Sequence, residues 1–258
     1  MIGQGKSYVA VATKVRAMRG KMLTDEQWRQ LMDAASLRAV WQILQGCAGW
    51  KAAADVHQGQ VSLFALSDAL TRQMHLDLRS LGHFLPREDR QDLERFMRCL
   101  ERGMAPEEFQ QWWSGIHKGD IVLRHMAGAE ADVLNLVYIL RLRRFPASVD
   151  KAGALLIPIR EKLKPSLVKS LLHARTDEEA IALLEHTPWA KLFTSTAPGD
   201  LEKQYRAYMH AFCAHLMVSA HPGMGTVLAF VALKYEERDK LRRLMGAVEQ
   251  GIDPRLVL

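Results

Sequence analysis

LERFMRCLERGMAPEEF (Leu93–Phe109) decides the fold class, because it reads as a helix, a break and a second helix within seventeen residues. Its first half is amphipathic. Gly103 offers the left-handed conformation that closes a helix, and Pro106 suits the first turn of the next. LRRLMGAVEQGIDPRLV (Leu241–Val257) repeats the arrangement at a constant offset of 148, so that Leu93, Met97, Glu101, Gly103 and Pro106 meet Leu241, Met245, Glu249, Gly251 and Pro254. A second repeat has offset 140 and pairs Leu23, Leu31, Ser36 and Leu44 with Leu163, Leu171, Thr176 and Leu184. Ser36 and Thr176 are natural N-caps, and Thr176 with Glu179 has the spacing of a capping box. The helix-break-helix unit therefore recurs four times, with second helices starting near Thr24, Ala105, Lys164 and Asp253. The intervals are too irregular for a solenoid of identical units, and the pattern reads as a pseudo-symmetric array built by duplication.

Outward from these repeats the chain stays helical. Leu63, Leu66, Leu70, Met74, Leu78 and Leu81 fall three or four apart, a single apolar stripe on a helix over 61–84. The same period runs through 90–102, 130–145 and 201–218. Pro86, Pro106, Pro146, Pro165, Pro188, Pro222 and Pro254 lie between such segments. Strand-like alternation is confined to Ala154–Ile159, where Pro158 weakens it. The expected fold is all-α, a single domain over 1–258 made of duplicated units at approximately 7–85, 86–130, 131–200 and 201–258.

With 258 residues, 48% of them hydrophobic and 25% charged, the chain has the composition of a globular protein, not a disordered one. Cys47, Cys99 and Cys213 are too few and too scattered for a disulfide framework, so a reducing, cytoplasmic setting is expected. The opening MIGQGKSYVAVATKVRAMRG reads as neither signal peptide nor anchor, and no apolar run has the roughly 18 residues of a membrane span. The net charge of +6 is unevenly spread. Between Tyr138 and Arg175 nine basic residues face two acids, and residues 1–30 carry six against two. Such asymmetry points to a basic face that meets an acidic partner, nucleic acid or anionic lipid, with a solvated helix face as the ordinary alternative.

Catalytic chemistry is sparse. Gly5-Lys6-Ser7 imitates the end of a phosphate-binding loop, but a strand and the first glycine of that motif have no room before it. Ser166 and Lys169 match SxxK without its companion motifs. His210 and Cys213 share a helix face while His215 points away, which disfavours a common metal. Trp112-Trp113 reads as one ring anchored in the core, and Glu107-Glu108, Glu178-Glu179 and Glu236-Glu237 as helix-start carboxylates. No catalytic residue, metal ligand or cofactor-binding residue is expected.

The stretch Glu130-Ala-Asp132-Val-Leu-Asn135-Leu136-Val-Tyr-Ile139-Leu-Arg141, with the basic run through Arg144 to Phe145, resembles an acidic-x-x-Asn-Leu…Arg helix of one family. That family is the C subunit of bacterial and archaeal V/A-type rotary ATPases, equivalent to eukaryotic subunit d. Leu156-Ile-Pro158-Ile-Arg160, Leu163-Lys164, Leu171–Ala174, Glu179 and Leu183–Phe193 are similar to its proline-containing segment and the helix ending in Thr-x-Tyr, with Trp189 in the aromatic place. Leu233–Arg242 resembles its Lys-Glu-x-Glu-Ile-x-Asn-Leu-Arg helix, with Tyr235, Arg238 and Lys240 as departures. Gly251–Pro254 and the last three residues resemble the following tail, and Tyr8, Arg16, Leu23, Trp28 and Leu31 fit the opening.

The resemblance implies a short, divergent bacterial member with a funnel-like array of helical units. It implies a non-catalytic rotor part that receives the central stalk, sits on the membrane proteolipid ring and reaches the membrane only through other subunits. ATP-linked proton or sodium transport would then pass through it as torque. On this reading Arg141, Arg143, Arg144, Lys162 and Lys164 are candidate partner contacts. Asp132, Asn135 and Glu237 are candidate structural polar positions that pin helix junctions. The alternative is a basic helical nucleic-acid-binding or adaptor protein, which would lose affinity steeply with salt.

Overall fold

The computed structural model describes residues 2–55, 61–102, 105–116, 121–145, 151, 155–190, 192–195, 197–219 and 222–257. Among them are twelve α-helices and no strand. The segment 156–159 is irregular, and Ala154 lies outside the described residues. Two compact units divide the chain, the first from residues 1–100 and 221–258, the second from 101–220.

The first unit contains α1 (Ile2–Arg19), α2 (Asp25–Met32), α3 (Leu37–Gln45), α4 (Lys51–Asp55), α5 (Leu63–Leu81), α6 (Arg87–Arg102, which reaches the boundary) and α12 (Met224–Gln250). Its axis is α12. Every residue from Met224 to Val231 on that helix is buried, so it is wrapped by neighbours instead of showing one apolar stripe. α1, α3 and α5 pack against it. The stripe on α5 forms as its spacing predicts, with Leu66, Leu70, Met74, Leu78 and Leu81 fully buried. α12 ends at Gly251, whose φ of 67° is the left-handed closure expected there. The matching Gly103 lies outside the described residues.

The second unit contains α7 (Pro106–Gly115), α8 (Ile121–Leu142), α9 (Pro165–His173), α10 (Asp177–Leu184) and α11 (Pro198–Ser219). α8 is its axis, with α9 and α11 packed on it. Val133, Leu136, Ile139 and Leu140 from α8 share a core with Leu163, Leu171, Leu184, Trp189, Phe193 and Leu201. Trp189 meets Tyr208 edge-to-face, with ring centroids 5.7 Å apart.

The helix starts fall where the breaks place them. Thr24, Ala105, Lys164 and Asp253 are each the N-cap of the next helical segment. Ser36 and Thr176 cap α3 and α10 through their hydroxyl oxygens. Leu31 and Leu171, Leu44 and Leu184, and Leu93 and Leu241 are pairwise equivalent in burial, each fully enclosed. Thr24 makes a complete capping box with Gln27. At Thr176 the reciprocal half is displaced, because the Glu179 carboxylate accepts from the Arg175 N–H at 2.7 Å, one residue earlier.

Candidate functional site

In the second unit a short stretch of α8 supplies three buried polar side chains within six residues. Asp132 is fully buried, and its carboxylate accepts three backbone N–H groups: Glu161 at 3.0 Å, Lys162 at 2.6 Å and Leu163 at 3.0 Å. Burial pushes its carboxyl above the usual range, while these three donors pull it down. Asn135, also fully buried, accepts from Ile157 N–H at 2.8 Å and donates to the Ile157 and Ile159 carbonyls at 2.9 and 3.4 Å. Two side chains thus satisfy six backbone groups in the loop 157–163, which has no secondary structure to satisfy them itself. Glu161 turns back to pair with His125 on α8.

Glu130, two residues before Asp132, has a different environment. Its side chain is buried and, among the described residues, accepts one hydrogen bond, from the Tyr205 hydroxyl of α11 at 3.3 Å. Burial raises its pKa to about 7, and the Tyr205 hydrogen bond offsets only part of that. The carboxyl is protonated in the fold over a range where the unfolded chain has already ionised. Stability from this group is therefore full below about pH 4.5, falls as pH rises towards 7, and levels off above. The loss is about 3 kcal/mol for a shift of this size. Glu130→Gln should stabilise the protein at pH 8 with little effect at pH 4.5, read from urea unfolding at both values. Parallel pH profiles for the two proteins would refute the assignment.

The basic candidates are separated by the structure. Arg143 has a side chain only 4% exposed. It donates to Asp177 at 2.7 Å and to the carbonyls of Ala174 and Thr176, clamping the turn between α9 and α10 onto the end of α8. Arg144 reaches the other Asp177 oxygen at 3.2 Å and remains partly exposed. Arg141 is half-buried at the same end of α8, whereas Lys162 and Lys164 are exposed.

In the first unit Glu237 is buried on α12 and joins three segments. Its carboxylate accepts from Leu23 N–H at 2.6 Å, from Trp50 Nε1 at 3.1 Å and from Lys234 Nζ at 2.7 Å. The same ammonium lies 3.6 Å from the centre of the Trp50 ring. Gly49 is required beside it, since a Cβ there would stand 2.5 Å from the Lys21 carbonyl oxygen. Cys47 lies close by, and burial, then the Glu237 charge, push its thiol up.

Lys234 and Trp50 were not singled out from sequence as partners of Glu237. The available signal was a Lys-x-x-Glu pair, at the spacing that faces one side of a helix, directly after the apolar run Met224–Leu233. Ser166 and Lys169 are both exposed on α9, and His210 and His215 are exposed around buried Cys213. Trp112 is buried edge-to-face against Phe109, and Arg124 stacks over Trp113. The side chains of Gly5-Lys6-Ser7 and Cys99 lie outside the described ones. Among the described residues no three His, Cys, Asp or Glu side chains gather as a metal site. No helix among them is long and apolar enough to cross a membrane.

Comparison with curated protein sequences gave no match. The sequence profile of a family described as ATP synthase (C/AC39) subunit matches residues 11–101 and 107–257. The match takes in both units, the α8 stretch with its loop, and the α12 pair. The chain therefore belongs to the ATP synthase (C/AC39) subunit family, a non-catalytic subunit family of V/A-type rotary ATPases.

Proposed function

We propose that this chain is the rotor socket of a V/A-type ATPase, coupling the central stalk to the membrane proteolipid ring during ATP-linked proton or sodium transport. It is held at the cytoplasmic face by those subunits and binds no nucleic acid. The observation that carries this reading is where the buried polar chemistry goes. Asp132, Asn135, Arg143 and Glu237 are bound to backbone groups of their own chain, tying loops and helix ends together. A part that transmits torque gains from such cross-bracing, whereas a catalytic site would leave polar groups aimed at a substrate.

The same reading takes the chain as one domain grown by duplication of helix-break-helix units, supported by the matched N-caps and the pairwise buried leucines. Lys162, Lys164 and Arg144 carry the basic contact surface, with Arg141 at the same end of α8. Arg143 serves it by holding α10 in place. Tagged protein purified from its native host is expected to bring stalk and ring subunits with it. Recovery without either would overturn the reading.

A further inference from the structure

We propose that the loop 158–164 is a pre-organised cationic epitope that recognises an acidic protein segment, one carrying clustered carboxylates beside an aliphatic side chain. The proposal deepens the rotor-socket reading and rests on it for the partner being another subunit. Three facts about the loop combine. Its inward residues Ile157, Ile159 and Leu163 are at most 5% exposed, so Arg160, Lys162 and Lys164 are left facing water. Among the described residues none of these three cations pairs with a carboxylate. The acids that could neutralise them are spent elsewhere, Glu161 on His125 and Asp132 on the loop's own N–H groups.

The second fact is stiffness. An irregular loop bearing cations would ordinarily be mobile, and a partner would then bear the cost of ordering it. Here Asp132 and Asn135 hold the backbone at 157, 159, 161, 162 and 163 before any partner arrives. Pro158 and Pro165 fix φ on either side of the charged run. Burying an aspartate is costly unless its oxygens are satisfied, and at this position the satisfaction comes from shaping the loop.

The flanks give the class of partner. Leu155 is 51% exposed and Pro158 is exposed, whereas residues 155–164 contain no aromatic side chain. A single-stranded nucleic acid would favour aromatic platforms among its cations. A membrane surface would favour a continuous amphipathic face with several apolar side chains to insert. Three fixed cations with one aliphatic neighbour match a short acidic segment of protein.

The test uses the full chain and a fluorescent peptide of alternating Glu-Glu-Leu triplets, followed by anisotropy. Binding is expected for the parent protein, weakened by raised salt. It should fall on the order of tenfold in the Arg160→Ala/Lys162→Ala/Lys164→Ala protein, as the loss of three exposed ion pairs implies. All three side chains are exposed, so the variant's melting temperature should stay unchanged and report an intact fold. No peptide binding by the parent, equal binding by the variant, or tighter binding to single-stranded DNA or phosphatidylglycerol vesicles would overturn the proposal. Co-purification separates the two readings. If the parent brings down stalk and ring and the variant does so equally, the loop proposal fails alone. If the parent brings down neither, the rotor-socket reading fails.

Discussion

Lys234→Met should destabilise the protein by about 3–5 kcal/mol, the cost of removing one member of a buried ion pair. Both side chains are at most 4% exposed, so water cannot replace the lost ammonium. Glu237 would keep its bonds from Leu23 N–H and Trp50 Nε1, but its charge would be left uncompensated beside a tryptophan ring. At about 2–4 °C per kcal/mol for a chain of this size, the melting temperature should fall by roughly 10 °C. The Lys234→Met/Glu237→Gln protein should recover at least half of that loss. The glutamine is neutral and still offers an oxygen to one of the two remaining donors. Thermal unfolding of the parent, single and double variants decides it. A single variant within about 1 kcal/mol of the parent would mean that the pair behaves as a surface pair, against the geometry.

The pair also shows what sequence periodicity can and cannot reach. Helix ends were legible because their signals are local. Ser36 and Thr176 cap as their hydroxyls dictate, Pro106, Pro165 and Pro254 begin segments, and Gly251 takes the left-handed conformation. The displaced half of the Thr176 box was not legible, since Glu179 had two neighbouring N–H groups to choose from. The first turns of α12 escaped the repeat because Met224–Val231 is buried on all sides, and a helix without a polar face has no period to detect.

The site follows the same division. Asp132, Asn135 and Glu237 were reached through the family resemblance, as its polar positions that pin helix junctions. Their partners were not. Trp50 lies 187 residues from Glu237, and Asp177 lies 34 from Arg143, and nothing in the intervening spacing joins them. The run from Arg141 to Arg144 read as one basic surface. Arg143 and Arg144 lie in the turn that follows α8, and both reach the Asp177 carboxylate, but to different depths. Arg143 points into the α9–α10 turn while Arg144 stays near solvent.

Asp132→Ala is the second substitution with a large expected effect. It leaves the N–H groups of Glu161, Lys162 and Leu163 without their acceptor, the last of them on a buried residue. An unsatisfied buried donor costs about 1–3 kcal/mol. The Glu161 and Lys162 groups can recover part of their loss from water, so the total should be about 3 kcal/mol. Asp132→Asn should cost less, because its one oxygen can still take the two bonds that Oδ2 accepts, and only the Glu161 bond is lost. The damage should also be local. Freed from α8, the loop becomes a substrate for trypsin, which cuts after Arg160 and Lys162 but not at Lys164, where Pro165 follows. Cleavage at those two bonds should accelerate strongly in Asp132→Ala, modestly in Asp132→Asn, and hardly at all in Lys234→Met under conditions where all three remain folded. Acidic-peptide binding should weaken in the same order, although Asp132 is buried and cannot touch the peptide. Equal cleavage of parent and Asp132→Ala would mean that the loop is held by its apolar residues alone, and the carboxylate would lose its role in presenting the cations.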